Sequence, residues 1–597
     1  MITIFSARKI QQAQEKEEEL LLEAERVVET LTQNPAQATT RKQEKKAESF
    51  EETPFSEPIY RLFLNYRDYY RERSKKTEIA TLYVDEIASR VALFYEKIRK
   101  IVDWKEEHLV RRAAIERILK RKMISEISGI SLVSGFEPQK IAEPLILELI
   151  RGGHFPNGKI PRSQVAKVQK LLEKYTYILE KNPLAKQEAV PKIKQKINLY
   201  TWMLEIAACE VEELLASPIR QKALMECMFQ LMDERIKIIP EGALSQEEKA
   251  TQLFIAVRRT LFHLDDPIIS YHLLKNRWPE WDDLPNNLLD QITQNIITIK
   301  NQIEKNLSHS LSSTFFRICE KYDTLYIILG DILDQYEKKP SDVIPTLGKP
   351  KELTQLIRDA YTKRLSTLKG RLYRSAVYST LSIFIAGALS LFIFEVPLAK
   401  LIYGEWKPLA MTIDILLPTA LMAILVLLVR PPRPENLNRV VIEILKIVYR
   451  SDEKDIYEIR MRKKTKSLLW FVVSLFYAAG TIASLALVFW VFRLAKIPVT
   501  SLYIDTLNVA MIVSAALVIK QRAKELTIEE RTSFWEFSID ILSVPMGKIG
   551  QWLSNKWKEY NIVSVFFIAL VDMPFSTFIG FIESWSSFLK EKKSEIH

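Results

Sequence analysis

Hydrophobic and polar positions divide this chain into two regimes. Up to about residue 375, apolar residues recur every three or four positions among charges, the pattern of helices with one buried face. From Ala376 to Ile519 four runs become predominantly apolar: Ala376–Leu398, Leu409–Val429, Leu468–Phe492 and Leu502–Ile519, each near the ~20 residues a helix needs to cross a bilayer. After Ile519 the pattern is amphipathic and rich in tryptophan. No long region alternates with period two, and glycine is scarce at 15 of 597 residues, which argues for helices and against sheets or Gly-rich ligand loops. The expected fold is all-α: a large N-terminal soluble helical domain, then a four-helix multi-pass transmembrane region with interfacial amphipathic helices.

Taken in order, residues 1–31 read as an N-terminal charged helix with Leu20, Ala24, Val27 and Leu31 on one seam, and 32–56 as a disordered linker too polar to order itself. Residues 57–340 form the helical domain. Ile79–Tyr95 repeats apolar positions at three and four, and a partner helix follows at Glu106–Ile127. Further helices are expected at Arg162–Glu180, Ile193–Leu215, Ile219–Ile239, Gln246–Leu264, Leu288–Leu307 and Leu311–Tyr336, punctuated by prolines and packed as one or two bundles. A Pro-rich linker at 341–350 leads to a juxtamembrane basic helix at 351–375. Transmembrane hairpins at 376–429 and 468–519 flank a cytoplasmic loop with an interfacial helix at 430–467, and 520–597 is an amphipathic interfacial region.

The net charge of +11 would suit nucleic acid, anionic lipid or membrane topology, and its distribution favours the last. Lys and Arg number six in 358–375, eleven in 430–467 and four in 520–531, against two each in 399–408 and 493–501. Basic segments stay in the cytoplasm, so the expectation is a multi-pass protein of the cell (inner) membrane with both termini cytoplasmic. Anionic headgroups are then the partners of the basic segments, and nucleic acid is not needed. The start of the chain lacks the apolar run of a signal peptide, so the first span would direct insertion.

The spans read as a parallel duplication. Ser382–Gly387 corresponds to Ser474–Gly480 and Ile413-Asp414 to Ile504-Asp505, at offsets of 91 to 93 residues. After each second span comes an apolar helix with a narrow polar stripe: Arg439, Glu443, Lys446 and Arg450, then Ser533, Glu536, Asp540 and Ser543. Asp414 and Asp505 are acids inside spans, structural caps or a proton or cation path. Gly387 and Gly480, with small pairs such as Ala510/Ser514, mark close helix packing. Trp552, Trp557 and Trp585 are interfacial anchors, and 562–582 would make a fifth span were it not for Asp572 and Pro574.

Candidate chemistry is thin. Gly153–Lys159 spells GxxxxGK, but a helix precedes it, Ile160 replaces the required hydroxyl and Pro161 follows, so it reads as a helix end and turn. The cations of Glu106–Ile127 have acidic neighbours at helical spacing and read as ion-paired. Arg277–Asp283 reads as an exposed acidic, aromatic capping turn. The histidines lack ligand spacing, and Cys209, Cys227 and Cys319 lack a CxxC, so no catalytic, cofactor or metal site is expected and a reducing compartment fits. The functional expectation is a membrane protein anchoring a cytoplasmic interaction or scaffold domain, with protein partners through residues 57–340, a second copy of the chain among them. The alternatives are a transporter, channel or flux regulator using Asp414 and Asp505, and a membrane-tethered enzyme.

Overall fold

The computed structural model describes residues 53–74, 80–84, 107–124, 137–185, 190–395, 408–429, 431–449, 455–460, 499–528 and 547–553, with scattered positions at 397, within 475–490 and within 581–592. Helix accounts for 79% of the structure, in keeping with an all-α fold. The helix expected at 1–31, most of the linker at 32–56, most of the third span, the second polar-stripe helix and the 562–582 run lie outside these residues. The chain divides into two compact units. One comprises 1–67, 234–243 and 320–560, the other 68–233, 244–319 and 561–597, so neither is a single continuous stretch.

The second unit holds a helical core. Its elements are α2 (Glu107–Ile124), α3 (Pro138–Arg151), α4 (Ser163–Lys181), α5 (Val190–Leu215), most of α6 (Ile219–Arg235), α7 (Gln246–Leu261), α8 (Asp266–Arg277), α9 (Asn286–Leu307) and most of α10 (Ser312–Glu320). Helix α5 is central and packs on α2, α4 and α8. Its Met203, Ile206, Ala207, Ala208 and Val211 are buried at the three- and four-residue spacing read from the sequence. Pro267 opens α8, where it takes up a helix start rather than breaking one. Helix α7 starts on a capping box in which the Ser245 hydroxyl accepts from the Glu248 amide at 3.1 Å and the Glu248 carboxylate accepts from the Ser245 amide at 3.1 Å.

The helix expected at Ile79–Tyr95 does not hold over residues 80–84, and the rest of that stretch lies outside the described residues. Residues 80–84 are extended, with Leu82 and Val84 buried and Tyr83 exposed. They run alongside the turn after α3: Leu82 N donates to Ile160 O at 2.9 Å, Arg162 N to Ala80 O at 2.9 Å, and Asn157 bonds both backbone groups of Val84. Thr81, Tyr83 and Val84 favour extended backbone, and a short apolar run does not by itself separate strand from helix.

The first unit gathers α1 (Glu57–Ser74, mostly), β1 (Ile236–Ile239), α11 (Asp323–Asp334), α12 (Val343–Leu347), α13 (Pro350–Ser390), α14 (Pro408–Leu427), α15 (Glu435–Val448), β2 (Tyr457–Arg460) and α16 (Val499–Ala523). Helix α13 runs unbroken through both the expected basic helix and most of the first span, about 60 Å at 1.5 Å per residue. The helix expected at Leu311–Tyr336 is interrupted between Glu320 and Asp323, and that expected at Ile219–Ile239 ends at Arg235. Beyond Arg235, β1 pairs in parallel with β2, Ile236 opposite Tyr457 and Ile239 opposite Arg460, a small sheet that the overall periodicity did not foretell. The 341–350 stretch is a folded connection, with Val343 and Leu347 fully buried and the Tyr449 hydroxyl donating to Leu347 O at 2.6 Å. Phe55, at the end of the expected linker, is also buried and stacks on Tyr449 with ring centroids 5.9 Å apart.

Candidate functional site

Helix α13 carries the most informative surface in the structure. Its helical run Pro350–Ile393 is, among the described residues, the one long and apolar enough to cross a membrane, and only 6% of its most apolar stretch is buried in protein. Val377, Leu381, Phe384, Ile385, Leu389 and Phe392 face outward, with Tyr373 and Tyr378 exposed at the beginning of the wall. A soluble core helix would be covered on such a face, because exposed apolar area costs roughly 25 cal/mol per Å². Ile415–Leu427 of α14 is a second, shorter apolar run.

Behind this wall α13, α14 and α16 pack together. Met422, Ile512, Ala516 and Ile519 form a buried cluster, against which Leu372, Ile383 and Val429 rest. A Cβ at Gly387 would lie 3.8 Å from Ile415 Cα, so this glycine permits a close approach of α13 and α14 at van der Waals distance. No protein-family model matches the chain, and no curated protein or solved structure is similar to it.

Directly next to the apolar bundle lies a polar junction in the same unit. The Asn436 amide donates to the Tyr361 hydroxyl at 3.0 Å and to Leu526 O at 2.5 Å, while its Oδ1 accepts from Ile528 N at 3.1 Å. One buried side chain thus joins α13 ahead of its apolar stretch, α15, and the segment after α16. Around it, Thr324 Oγ1 donates to Glu525 O at 2.9 Å, Arg371 meets Glu525 at 3.4 Å, and Arg364 forks onto Asp331. Helix α15 was expected at a membrane interface, its apolar face in lipid or against the spans. That face is covered by protein, packed on α11 and α13, with Val440, Val441, Leu445 and Val448 fully buried and the Arg439, Glu443 and Lys446 stripe half-buried. The sequence showed the stripe correctly. It could not distinguish lipid from protein as the cover, since both accept the same apolar face.

The second unit contains a buried polar cluster that the sequence did not reveal. Lys174 Nζ donates to both Glu210 oxygens at 2.7 and 2.9 Å and to Trp281 O at 2.7 Å. Tyr175 OH and Trp281 Nε1 donate to Glu210 Oε2 at 2.6 and 2.9 Å. Burial lowers the Lys174 ammonium from its ordinary value, with the Glu210 charge opposing the shift. Trp281, read from sequence as part of an exposed turn, is fully buried, while its neighbours Asp282 and Asp283 are exposed and pair with Lys275 and Lys170. With four hydrogen bonds from three donor groups on one carboxylate, the cluster fastens α4, α5 and the 281–283 turn together.

Beside it, burial would raise the Glu213 carboxyl, but His272, Lys222 and Lys275 outweigh burial and hold it well below the usual carboxylate range. Burial lowers His272 to about 4, with the Arg258 charge adding to the shift and Glu213 opposing it. The three cysteines are buried with their thiols raised, which makes them inert. In the GxxxxGK turn the amides of Gly153, His154 and Gly158 donate to Ile150, Leu149 and Leu82 carbonyls, which leaves them no phosphate to hold. Among the cations of α2, Arg112 pairs with Asp265, Lys120 with Glu116 and Arg121 with Glu148. Among the described residues no three His, Cys, Asp or Glu side chains are grouped to hold a metal.

The sequence-derived residues are only partly brought together. Asp414 lies on α14 and Asp505 on α16, both near the helix starts, but their side chains lie outside the described residues. Gly480 is a half-buried helical position, Trp557 is outside the described residues, and Trp552 and Trp585 are exposed at 62% and 53%. Trp585 stacks with Phe581 at 6.2 Å and lies 6.0 Å from Phe588, an exposed aromatic stripe. Ala510 and Ser514 do mark close packing, though against residues 547–553: a Cβ at Gly550 would overlap Ala510 O and lie 2.9 Å from Ser514 Cβ. Gly547 and Gly550, three apart, carried that signal in the sequence unnoticed.

Proposed function

We propose that this protein is a multi-pass integral membrane protein whose two hairpins, 376–429 and 468–519, anchor a helical interaction or scaffold domain on the cytoplasmic side. The observation that carries the reading is the α13 wall, an apolar surface left uncovered by protein over the length of a bilayer. The junction at Asn436 supports the number of crossings. It gathers residues 361, 436 and 526 in one place, so the stretches between them must leave and return on the same side. Each stretch then crosses an even number of times, as a hairpin does. The uneven distribution of Lys and Arg favours the cytoplasm for that side.

The scaffold part of the reading rests on the helical domain's interior, where Lys174, Tyr175 and Trp281 are spent on Glu210, and Lys222 and Lys275 on Glu213. Full-length protein should stay in the membrane pellet after an alkaline carbonate wash, and release into the supernatant would contradict the anchoring. Proximity labelling from the N-terminus should return a reproducible set of proteins beyond that seen with an unrelated inner-membrane anchor; an identical set would remove the scaffold. The full chain is the right reagent, because 234–243 and 320–340 pack within the unit that also contains 430–528.

A further inference from the structure

Where the apolar bundle meets the polar junction, the exposed side chains are basic. Helix α13 presents Lys363, Lys369, Arg371 and Arg374 outward, with Tyr373 among them at 71% exposure and the apolar wall beginning at Val377. Arg433, in the turn between α14 and α15, and Arg522, at the end of α16, are exposed as well. Leu372, Val429 and Ile519 belong to one apolar cluster, which brings the nearby Lys369, Arg371, Arg374, Arg433 and Arg522 of three chain segments to one edge of the bundle, with Lys363 about 14 Å further back along α13. These five cations form a collar around that edge.

The collar differs from the ionic contacts just behind it. Arg364 is committed to Asp331, and Arg371 is 3.4 Å from Glu525. Lys363, Lys369, Arg374, Arg433 and Arg522 form no ion pair with any described residue. Between residues 360 and 394 the sequence contains no Asp or Glu, so the helix supplies no counter-charge of its own. Unneutralised guanidinium and ammonium groups next to exposed tyrosine and an apolar wall are complementary to a surface that is anionic, phosphate-bearing and continuous with hydrocarbon.

We propose that this collar selects anionic phospholipids, with the headgroup phosphate on Lys369, Arg374 and Arg522 and the acyl chains along the α13 wall. The proposal rests on the membrane reading above and goes beyond it, since insertion needs only apolar area whereas lipid selection needs these side chains. The collar exceeds what topology requires: it stands at one level on three chain segments rather than being spread over the loops.

Full-length protein is to be reconstituted into vesicles of phosphatidylcholine and phosphatidylglycerol, re-extracted in a non-ionic detergent, and its retained lipids quantified by mass spectrometry. Phosphatidylglycerol should be enriched over its share in the vesicle. The triple change Lys369→Gln, Arg374→Gln and Arg522→Gln, at exposed positions without an ion pair among the described residues, should lower that enrichment by about tenfold or more. Lys159→Gln, Lys167→Gln and Lys181→Gln remove the same charge from exposed positions of the second unit and should leave it intact. Free glycerol phosphate should not displace the lipid. Equal enrichment in the wild type and the collar variant, an equal loss in the control variant, or displacement by free glycerol phosphate would each overturn the proposal. Failure of the wild type to remain with the vesicles after an alkaline wash would instead defeat the membrane reading itself.

Discussion

The core of the second unit and the bundle of α13, α14 and α16 use opposite rules for what lies inside. In the former, apolar side chains are enclosed and even a lysine is buried, fastened to Glu210 and Trp281. In the latter the helix backs pack on one another while the front of α13 stays bare, 6% buried over its most apolar stretch. A helix pair in water cannot keep such a face, whereas in hydrocarbon the same face costs nothing and packing rests on close approach. The contrast explains why polar side chains hold the one together and small ones the other.

If the second unit is fastened by its buried cluster, Trp281→Ala should be the most damaging change. It opens a large cavity and strips the indole N–H from Glu210, while Lys174 keeps its bond to the backbone carbonyl of residue 281, a loss of about 3–5 kcal/mol in chemical denaturation. A loss under about 1 kcal/mol would show that the cluster is incidental. At the junction, Asn436→Ala removes three hydrogen bonds from a buried position and should cost about 1–3 kcal/mol of thermal stability in detergent. A neutral result would dissociate the junction from the bundle. On the bundle side, Gly550→Leu should cost about 1–3 kcal/mol by forcing residues 547–553 off α16, while Gly242→Ala, with nothing within 4 Å of its Cβ but a positive φ of 84°, should cost only its backbone strain. Equal effects would deny the close approach.

The smallest effects should come from pH, and the units should respond in opposite directions. His272 is held neutral, its pKa lowered by burial to about 4 from 6.5, so its contribution is present above pH 6.5 and lost as pH falls through about 4. Asp323 is raised by burial, with Glu320 and Glu525 adding to the shift against the Thr324 hydrogen bonds, to about 7 from 3.8. Its contribution is present below pH 3.8 and lost as pH rises through about 7. Melting curves of His272→Gln and Asp323→Asn across this range should each flatten one side of the profile. Unchanged slopes in both would show that neither group is as buried as the structure has it.

Much of this architecture was legible in the sequence because helices announce themselves by spacing. The boundaries of α4, α7 and α9 fall within three residues of those expected, and Ala510/Ser514 marked a close approach. What the sequence hid were relations between distant segments. Nothing local marks Trp281 as buried, since an aromatic residue among acids looks like a turn until Lys174 and Glu210 are placed beside it. The pairing of β1 with β2 involves four residues on each side, too few for a period to show. The stripe on α15 gave its orientation but not what covers it. Of the candidate site, the residues were visible as charges and apolar runs, and the collar emerged only when three chain segments were brought to one level.

In the proposed topology residues 361, 436 and 526 share one side of a membrane while the short loops between the spans face the other. The native cysteines are buried, which leaves a quiet background for single introduced cysteines. Lys407→Cys, in the 399–408 loop, and Arg460→Cys, on the exposed side of β2, should be treated in intact cells with a membrane-impermeant maleimide. Labelling at 407 and none at 460 until the membrane is opened is the predicted result. Labelling at 460 in intact cells, or at neither position before opening and both after, would contradict the account.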